Sequence, residues 1–331
     1  CDMAIAGGIK ISFIEIMSRR GDGIGIDSSD YRTRAFDEDS DGASWGEGII
    51  TFILKPLNKA IKNNDNIYAV IKGVAINQDG RSIGITAPNV AAQEDVIVRA
   101  WTDANIDPSR ISYIEAHGTG TKLGDPIEIE GIQKAFDRYT DKKQFCAIGS
   151  IKTSIGHLDS AAGAAGLLKV LLALKYKKLP PSLHFNKPNS KIEFENSPVY
   201  INDRLKKWEV TDSPRICGVS SFGLSGTNCH IVVEEAPEIN KKRNETGDCF
   251  EILTLSAKSE SDLKRLLEKY EGYLDKNIKA SLGDICYTAN TGRGSYSCRL
   301  ALVIRDTNDL KEKIRMLLQK GLVSSEERGI Y

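Results

Sequence analysis

Two of the chain's four histidines stand inside glycine-rich turns, His117 in EAHGTGTKLGDPIE and His157 in SIKTSIGHLDSAAGAAG. Flanking glycines let the main chain turn sharply and present an imidazole to a cleft. There the ring can donate a hydrogen bond to a developing oxyanion or shuttle a proton near neutral pH. Lys152 precedes His157 by five residues in a Ser-, Thr- and Gly-rich turn, where a lysine can tune the imidazole or bind an anion. Read one at a time, each histidine also fits a hydrogen-bonded turn residue, so neither argues strongly alone.

Other chemistries fit less well. His117, His157 and nearby Glu115 or Asp159 lack the close spacing of a zinc site, and no metal is expected. In GVSSFGLSGTN no serine has a glycine two residues away on both sides, so the hydrolase elbow G-x-S-x-G is absent, although backbone N–H groups of this loop could point into a site. GDGIG at 21–25 suggests a phosphate-cradling turn but lacks the strand-to-helix context and the P-loop lysine. His184 in PPSLHF and His230 in GTNCHIVV adjoin apolar runs and read as structural. Seven cysteines, at 1, 146, 217, 229, 249, 286 and 298, are odd in number and form no C-x-x-C pair. That disfavours a disulfide framework and fits buried structural thiols in a reducing cytoplasm.

The turns need elements to position them. Residues 1–62 read as strand, long loop and strand. From about 67 to 237 strands and helices alternate: IYAVIKGVAI as a strand, AAQEDVIVRAWTDANI as an amphipathic helix, ISYIEAHGTGT as a strand entering the first histidine turn. SAAGAAGLLKVLLALKY predicts a helix whose small first half lets another backbone approach, and which is apolar on nearly all sides and therefore expected to be buried all round. RICGVSSFG and CHIVVEEAP read as the closing strands. The polar stretch 238–249 makes the best linker. Beyond it, EILTLSA and CRLALVI read as strands. Ser259 with Asp262 predicts a capped helix with Leu263, Leu266, Leu267, Tyr270 and Leu274 on one face, and NDLKEKIRMLLQK a second helix with Leu310, Ile314 and Leu317 inward. The expected domains are thus 1–62, 63–237, the linker 238–249, and a small α/β unit at 250–331.

Composition sets outer bounds. At 27% charged and 40% apolar, 331 residues suit about two globular domains. Lysine plus arginine equal aspartate plus glutamate at 45 each, so no net field favours nucleic acid or an anionic membrane. The longest apolar runs fall short of a membrane span. Residue 1 is a cysteine inside a running pattern, so the start reads as a cut.

Taken together, EAHGTGTKLGDPIE, SIKTSIGHLDSAAGAAGLLKVLLAL, LPPSLHFNKPN and GVSSFGLSGTNCHIVVEEAP, in this order and spacing, resemble the ketosynthase domains of modular polyketide synthases. CDMAIAGG, RAFDEDSDG and GEG look like the stretch after that family's nucleophile, and LTLSAKS and ICYTANTGR resemble the linker domain after the ketosynthase. The resemblance implies an α/β chain: the C-terminal half of the thiolase-like αβαβα fold, the tail of the first half, and a small α/β linker domain.

It also implies chemistry. In that family an acyl chain rests on a cysteine while two histidines assist decarboxylation of a malonyl-type thioester, whose carbanion then attacks in a Claisen condensation. His117 and His157 match the two histidines, Lys152 the lysine supporting the second, Thr119 and Thr121 contacts to the phosphopantetheine arm, and the Phe222 backbone N–H an oxyanion donor. No cofactor is expected to bind directly; substrates ride on the 4'-phosphopantetheine of an acyl carrier protein. The expected partners are that carrier protein, the missing N-terminal ketosynthase half, a second copy in a homodimer and an acyltransferase in cis or in trans, with no nucleic acid and no membrane span. The family's TACSSS-type nucleophile string does not occur in the sequence, which leaves the chain alone expected to be inactive. The alternatives are a docking fragment without chemistry of its own or a fatty-acid β-ketoacyl carrier-protein synthase. Residues 1–237 alone are expected to be aggregation-prone.

Overall fold

A computed structural model describes residues 1–12, 26–80, 87–211, 214–238, 250–276 and 280–331; GDGIG at 21–25, most of the expected linker and Cys249 lie outside them. The chain divides into two compact units, 1–239 and 240–331.

In the first unit, the apolar runs at its start form β1 (Ala4–Lys10) and β2 (Gly48–Leu54), paired antiparallel from Ala4↔Leu54 to Lys10↔Gly48. Helix α1 (Leu57–Lys62) follows, then β3 (Ala69–Gln78), α2 (Val90–Ala104), β4 (Ile111–Glu115), α3 (Gly124–Asp137), β5 (Cys146–Gly149), the short α4 (Lys152–Ile155) and α5 (Ala162–Tyr176). Two-residue β6 (Lys178–Leu179), β7 (Val199–Ile201), two-residue β8 (Lys206–Lys207), β9 (Ile216–Phe222) and β10 (Thr227–Glu235) complete it. The main sheet runs β3-β10-β9-β4-β5-β7; β9, β4, β5 and β7 run parallel to one another, while β10 is antiparallel to both β9 and β3.

Side chains alternate across these strands, so the sheet has two apolar faces to cover. Ile111 and Ile114 pack with Val96, Ile97, Trp101, Ile132 and Phe136 of α2 and α3. Tyr113, Ala147, Cys217 and Val219 pack with Val170 and Leu174 of α5. Helix α5 touches β4 and β9 on one side and β1 and β2 on the other, giving the layers of a mixed α/β sandwich.

Two expectations need correction. Helix α5 is not covered all round: Leu168, Leu172 and Tyr176 stay exposed and, with Ile155 and Leu205, line an apolar groove of about 420 Å³. The sheets cover its small-residue faces, while among the described residues Ile50, Ile151 and Leu205 cover the leucine face only in part. Cys1 is exposed, whereas Cys146, Cys217 and Cys286 are buried.

The second unit pairs β11 (Glu251–Ala257) with β12 (Cys298–Ile304) antiparallel, Glu251↔Ile304 to Ala257↔Cys298. Its helices are α6 (Glu260–Leu274), α7 (Leu282–Thr291) and α8 (Thr307–Lys320). The Ser259 side chain accepts from the Asp262 N–H and caps α6. Leu263, Leu267, Leu310, Ile314 and Leu317 close the core against Leu253 and Leu302. Helices α3 and α7 and strands β5 and β7 had not been anticipated.

Candidate active site

Strand β4 ends at Glu115 and delivers His117 into its turn; β5 ends at Gly149 and leads through Ser150 into α4, with His157 just beyond. Because β4 and β5 are parallel neighbours, both turns emerge at the same sheet edge, where ligands of open α/β sheets gather. The Ala116 N–H donates to the Gly149 carbonyl at 2.9 Å and Ser150 Oγ to the Gly118 carbonyl at 3.0 Å. Lys152 Nζ donates to the His117 carbonyl. The imidazoles of His117 and His157 meet edge to face, with centroids 5.6 Å apart.

Backbone conformation fixes this geometry. Gly118 sits at φ +39°, and a Cβ there would lie 2.8 Å from Ser150 Cβ. Gly156 has φ 77° and ψ −179°, a region essentially reserved for glycine. Its absent side chain lets the main chain pass against Trp45, where a Cβ would come within 2.9 Å of the carbonyl carbon.

Main-chain amides then set the tautomers. The Asp159 N–H donates to His157 Nδ1 at 2.8 Å, and the Phe222 N–H donates to His117 Nδ1 at 3.3 Å. A neutral imidazole accepting at Nδ1 carries its proton on Nε2, so both rings become Nε2–H donors. The Phe222 N–H, expected as an oxyanion donor, stands at the end of β9 and here donates to the ring of His117.

Electrostatics keep both rings neutral. Burial, then the Lys152 cation and His157, hold His117 well below the usual imidazole range. Burial and Lys152 bring His157 down to about 4, against the opposing pull of Asp159. Lys152 is itself lowered to about 8 by burial, with Glu128, Glu115 and Asp125 acting to keep its charge.

The sequence reading missed three supports. Glu128 of α3 is buried and accepts from the His117 and Gly118 amides, each at 2.7 Å. Burial lifts it to about 7 despite those bonds. Asp125, one helical turn earlier and raised to about 6 by burial, accepts from Phe36 at 2.6 Å and Gly120 at 3.1 Å. Trp45 lies against His157, centroids 5.4 Å apart, and is anchored through Nε1 to Asp27 at 2.7 Å. The only signal was the GDPIE string, whose acids sit three apart at the start of a helix.

Thr119 and Thr121, both half-buried, contact each other through their hydroxyls at 3.2 Å, and Thr121 Oγ1 also accepts from the Gly124 N–H. His230 is buried against Ser220 Oγ at 2.9 Å, and His184 is exposed at φ 59°; neither joins the pair. Burial pushes the thiols of Cys146, Cys217, Cys229 and Cys286 up. Among the described residues no cluster could hold a metal ion, and no helix is long and apolar enough to cross a membrane.

Comparison with known proteins places these features. The family description "Beta-ketoacyl synthase, N-terminal domain" matches residues 1–60, "Beta-ketoacyl synthase, C-terminal domain" residues 68–186, and "CurL-like, PKS C-terminal" residues 251–314. Polyketide synthase PksL of Bacillus subtilis (strain 168) is 42% identical over 100% of this chain, which spans 8% of that relative. PksM of the same organism is 41% identical over 95%, again spanning 8% of the relative. The ketosynthase from module 6 of the bacillaene synthase of Bacillus subtilis 168 superposes with a TM-score of 0.82 at 42% identity, over 97% of this chain and 55% of that one. Ketosynthase twelve of the bacillaene polyketide synthase in Bacillus amyloliquefaciens gives 0.79 at 37%, over 100% and 57%. The chain thus spans a little over half of these solved ketosynthases.

Proposed function

The chain belongs to the β-ketoacyl synthase family, among the ketosynthases of polyketide synthases, and from that premise we propose that it supplies the decarboxylating half of a condensing site. The observation that carries this is the pair of facing imidazoles, both accepting a main-chain N–H at Nδ1 and so both donating from Nε2.

A malonyl-type thioester loses CO₂ when its carboxylate C–C bond breaks. The electron pair moves toward the thioester carbonyl, whose oxygen becomes enolate-like. Two neutral Nε2–H donors aimed at that oxygen stabilise the developing charge without giving up a proton, and fixed donors of this kind are each worth about 2.7–4 kcal/mol. Imidazolium rings would hand the proton over and quench the carbanion, so the depressed pKa values serve the reaction. Lys152 adds a fixed positive charge behind His117. The carbanion attacks the carbonyl carbon of an acyl thioester; a C–C bond forms and the thiolate leaves.

Other roles follow from the same reading. Thr119 and Thr121 would meet the phosphopantetheine arm of an acyl carrier protein, which presents both thioesters. The Phe222 amide would serve as an oxyanion donor, and its contact with His117 Nδ1 sets that ring's orientation. No TACSSS-type string occurs in this sequence, and on this reading the acyl-accepting cysteine would come from elsewhere in the enzyme that contains the chain. Homodimerisation, a cytoplasmic location and an acyltransferase partner belong to the enzyme that contains the chain. The match of residues 251–314 to a polyketide synthase C-terminal region favours this over a fatty-acid synthase.

The test is CO₂ release from malonyl-carrier protein by the ketosynthase containing this chain. His117→Ala and His157→Ala should each lose decarboxylation about 10²-fold or more while acylation of its cysteine survives. Equal loss of acylation would make the histidines structural.

A further inference from the structure

Glu115 is almost wholly buried at the end of β4, and its hydrogen bonds and ion pair go to neither imidazole. One carboxylate oxygen accepts the Ile151 N–H at 2.6 Å; the other accepts the Tyr113 hydroxyl at 2.6 Å and lies 2.7 Å from Lys169 Nζ of α5. Tyr113 and Lys169 are buried as well. The absent side chain of Gly166, whose Cβ would sit 3.2 Å from Glu115 Cγ, makes room for the carboxylate against α5. Buried charge is costly unless paired and hydrogen-bonded, and here each oxygen is engaged.

Ile151 is the residue from which α4 starts, and Lys152 is the first residue of that helix. Glu115 therefore grips the root of the turn that aims Lys152 at the His117 carbonyl, while its own chain continues two residues on into His117. Resting on the reading above, we propose that Glu115 is a positioning residue for the decarboxylation, tying the Lys152 turn to the His117 turn, with Lys169 as its ion-pair partner.

Two substitutions separate this from a merely structural role. The charged or titratable groups facing Lys152 are Glu115 from β4, Glu128 and Asp125 from α3, Lys169 from α5, and the rings of His117 and His157. Glu115→Gln keeps an acceptor for Ile151 but removes a negative charge, so Lys152 should lose its proton at lower pH. Lys169→Met removes a positive charge, so Lys152 should lose it at higher pH. The ¹³Cε resonance of Lys152, followed by NMR in the 331-residue chain, should move in these opposite senses by about one pH unit each, and the Ile151 amide proton should shift upfield in Glu115→Gln.

In the complete ketosynthase, Glu115→Ala should lower kcat for malonyl-thioester decarboxylation about 10- to 100-fold with KM changed less than threefold. Lys152 titrations that coincide with wild type in both variants, or that move together, overturn the proposal, as does a loss confined to KM. If the titrations part as expected while the wild-type ketosynthase releases no CO₂, the positioning stands and the decarboxylase reading falls.

Discussion

Replacing Lys152 with methionine should return His157 only part of the way to an ordinary imidazole. Burial is the larger cause of its descent from 6.5 to about 4, and the Lys152 cation the second, with Asp159 pulling upward. Methionine keeps the buried stem and deletes the charge. A like charge close by accounts for about one pH unit, so the ring should titrate near ~5, a change of about 1.4 kcal/mol between its protonation states. The linkage has a definite sign. A histidine depressed in the folded state is neutral there, whereas the unfolded chain takes up the proton below 6.5. Stability is therefore full above that value and falls as pH drops from 6.5 to about 4, by about 2–3 kcal/mol once solvent screening of a half-buried ring is allowed for. In the variant the loss should stop near ~5 and be smaller. Histidine ring resonances followed by NMR between pH 3.5 and 8 (roughly the span of the transition), with urea denaturation at each step, measure both. A ring titrating at or above 6.5 would show that the cation outweighed burial, and an unmoved ring would remove Lys152 from the field at His157; either refutes the reasoning.

Gly156→Ala should cost about 3 kcal/mol or more, since it forces a side chain into a glycine-only region and against the Trp45 backbone; urea denaturation should show the first unit melting earlier while the second is unmoved. Ser259→Ala should cost the second unit about 1 kcal/mol through loss of the α6 cap, read from the same denaturation curves. Leu172→Lys, on the exposed face of α5, should reduce self-association of the chain in sedimentation experiments without lowering its melting temperature.

Where hydrophobic period and cap chemistry spoke plainly, the sequence was legible. Alternation in IYAVIKGVAI and helical spacing in AAQEDVIVRAW became β3 and α2, and Ser259 capped α6. Helix α3 escaped because its inward face holds Asp125 and Glu128 as well as Ile129, Ile132 and Phe136; a buried carboxylate looks like a solvated one until its amide partners are known. Strands β5 and β7, at four and three residues, are too short for any period to register. The leucine face of α5 was misjudged because apolarity reports what a helix could bury, not whether a neighbour is there to bury it. His117 and His157 were found by their glycines; Glu115, Glu128 and Trp45 were not assigned roles because theirs exist only across distant segments.

The arrangement of charge around the two turns explains why so many acids gather where an anion must form. Lys152 and Lys169 are both buried, and burial lowers Lys152 to about 8. Glu115 meets Lys169 directly and Ile151 through its amide, while Glu128 and Asp125 spend their oxygens on the amides of His117, Gly118, Gly120 and Phe36. Among the hydrogen bonds and ion pairs of the described residues, these three carboxylates engage backbone amides, the Tyr113 hydroxyl and Lys169, and neither imidazole. The negative charge that keeps Lys152 protonated is held behind the histidines, and the two N–H donors face forward. A carbanion forming in front of them meets donors and a cation, with the compensating acids kept behind the turns, and the imidazoles stay neutral because the burial that excludes water acts on them first.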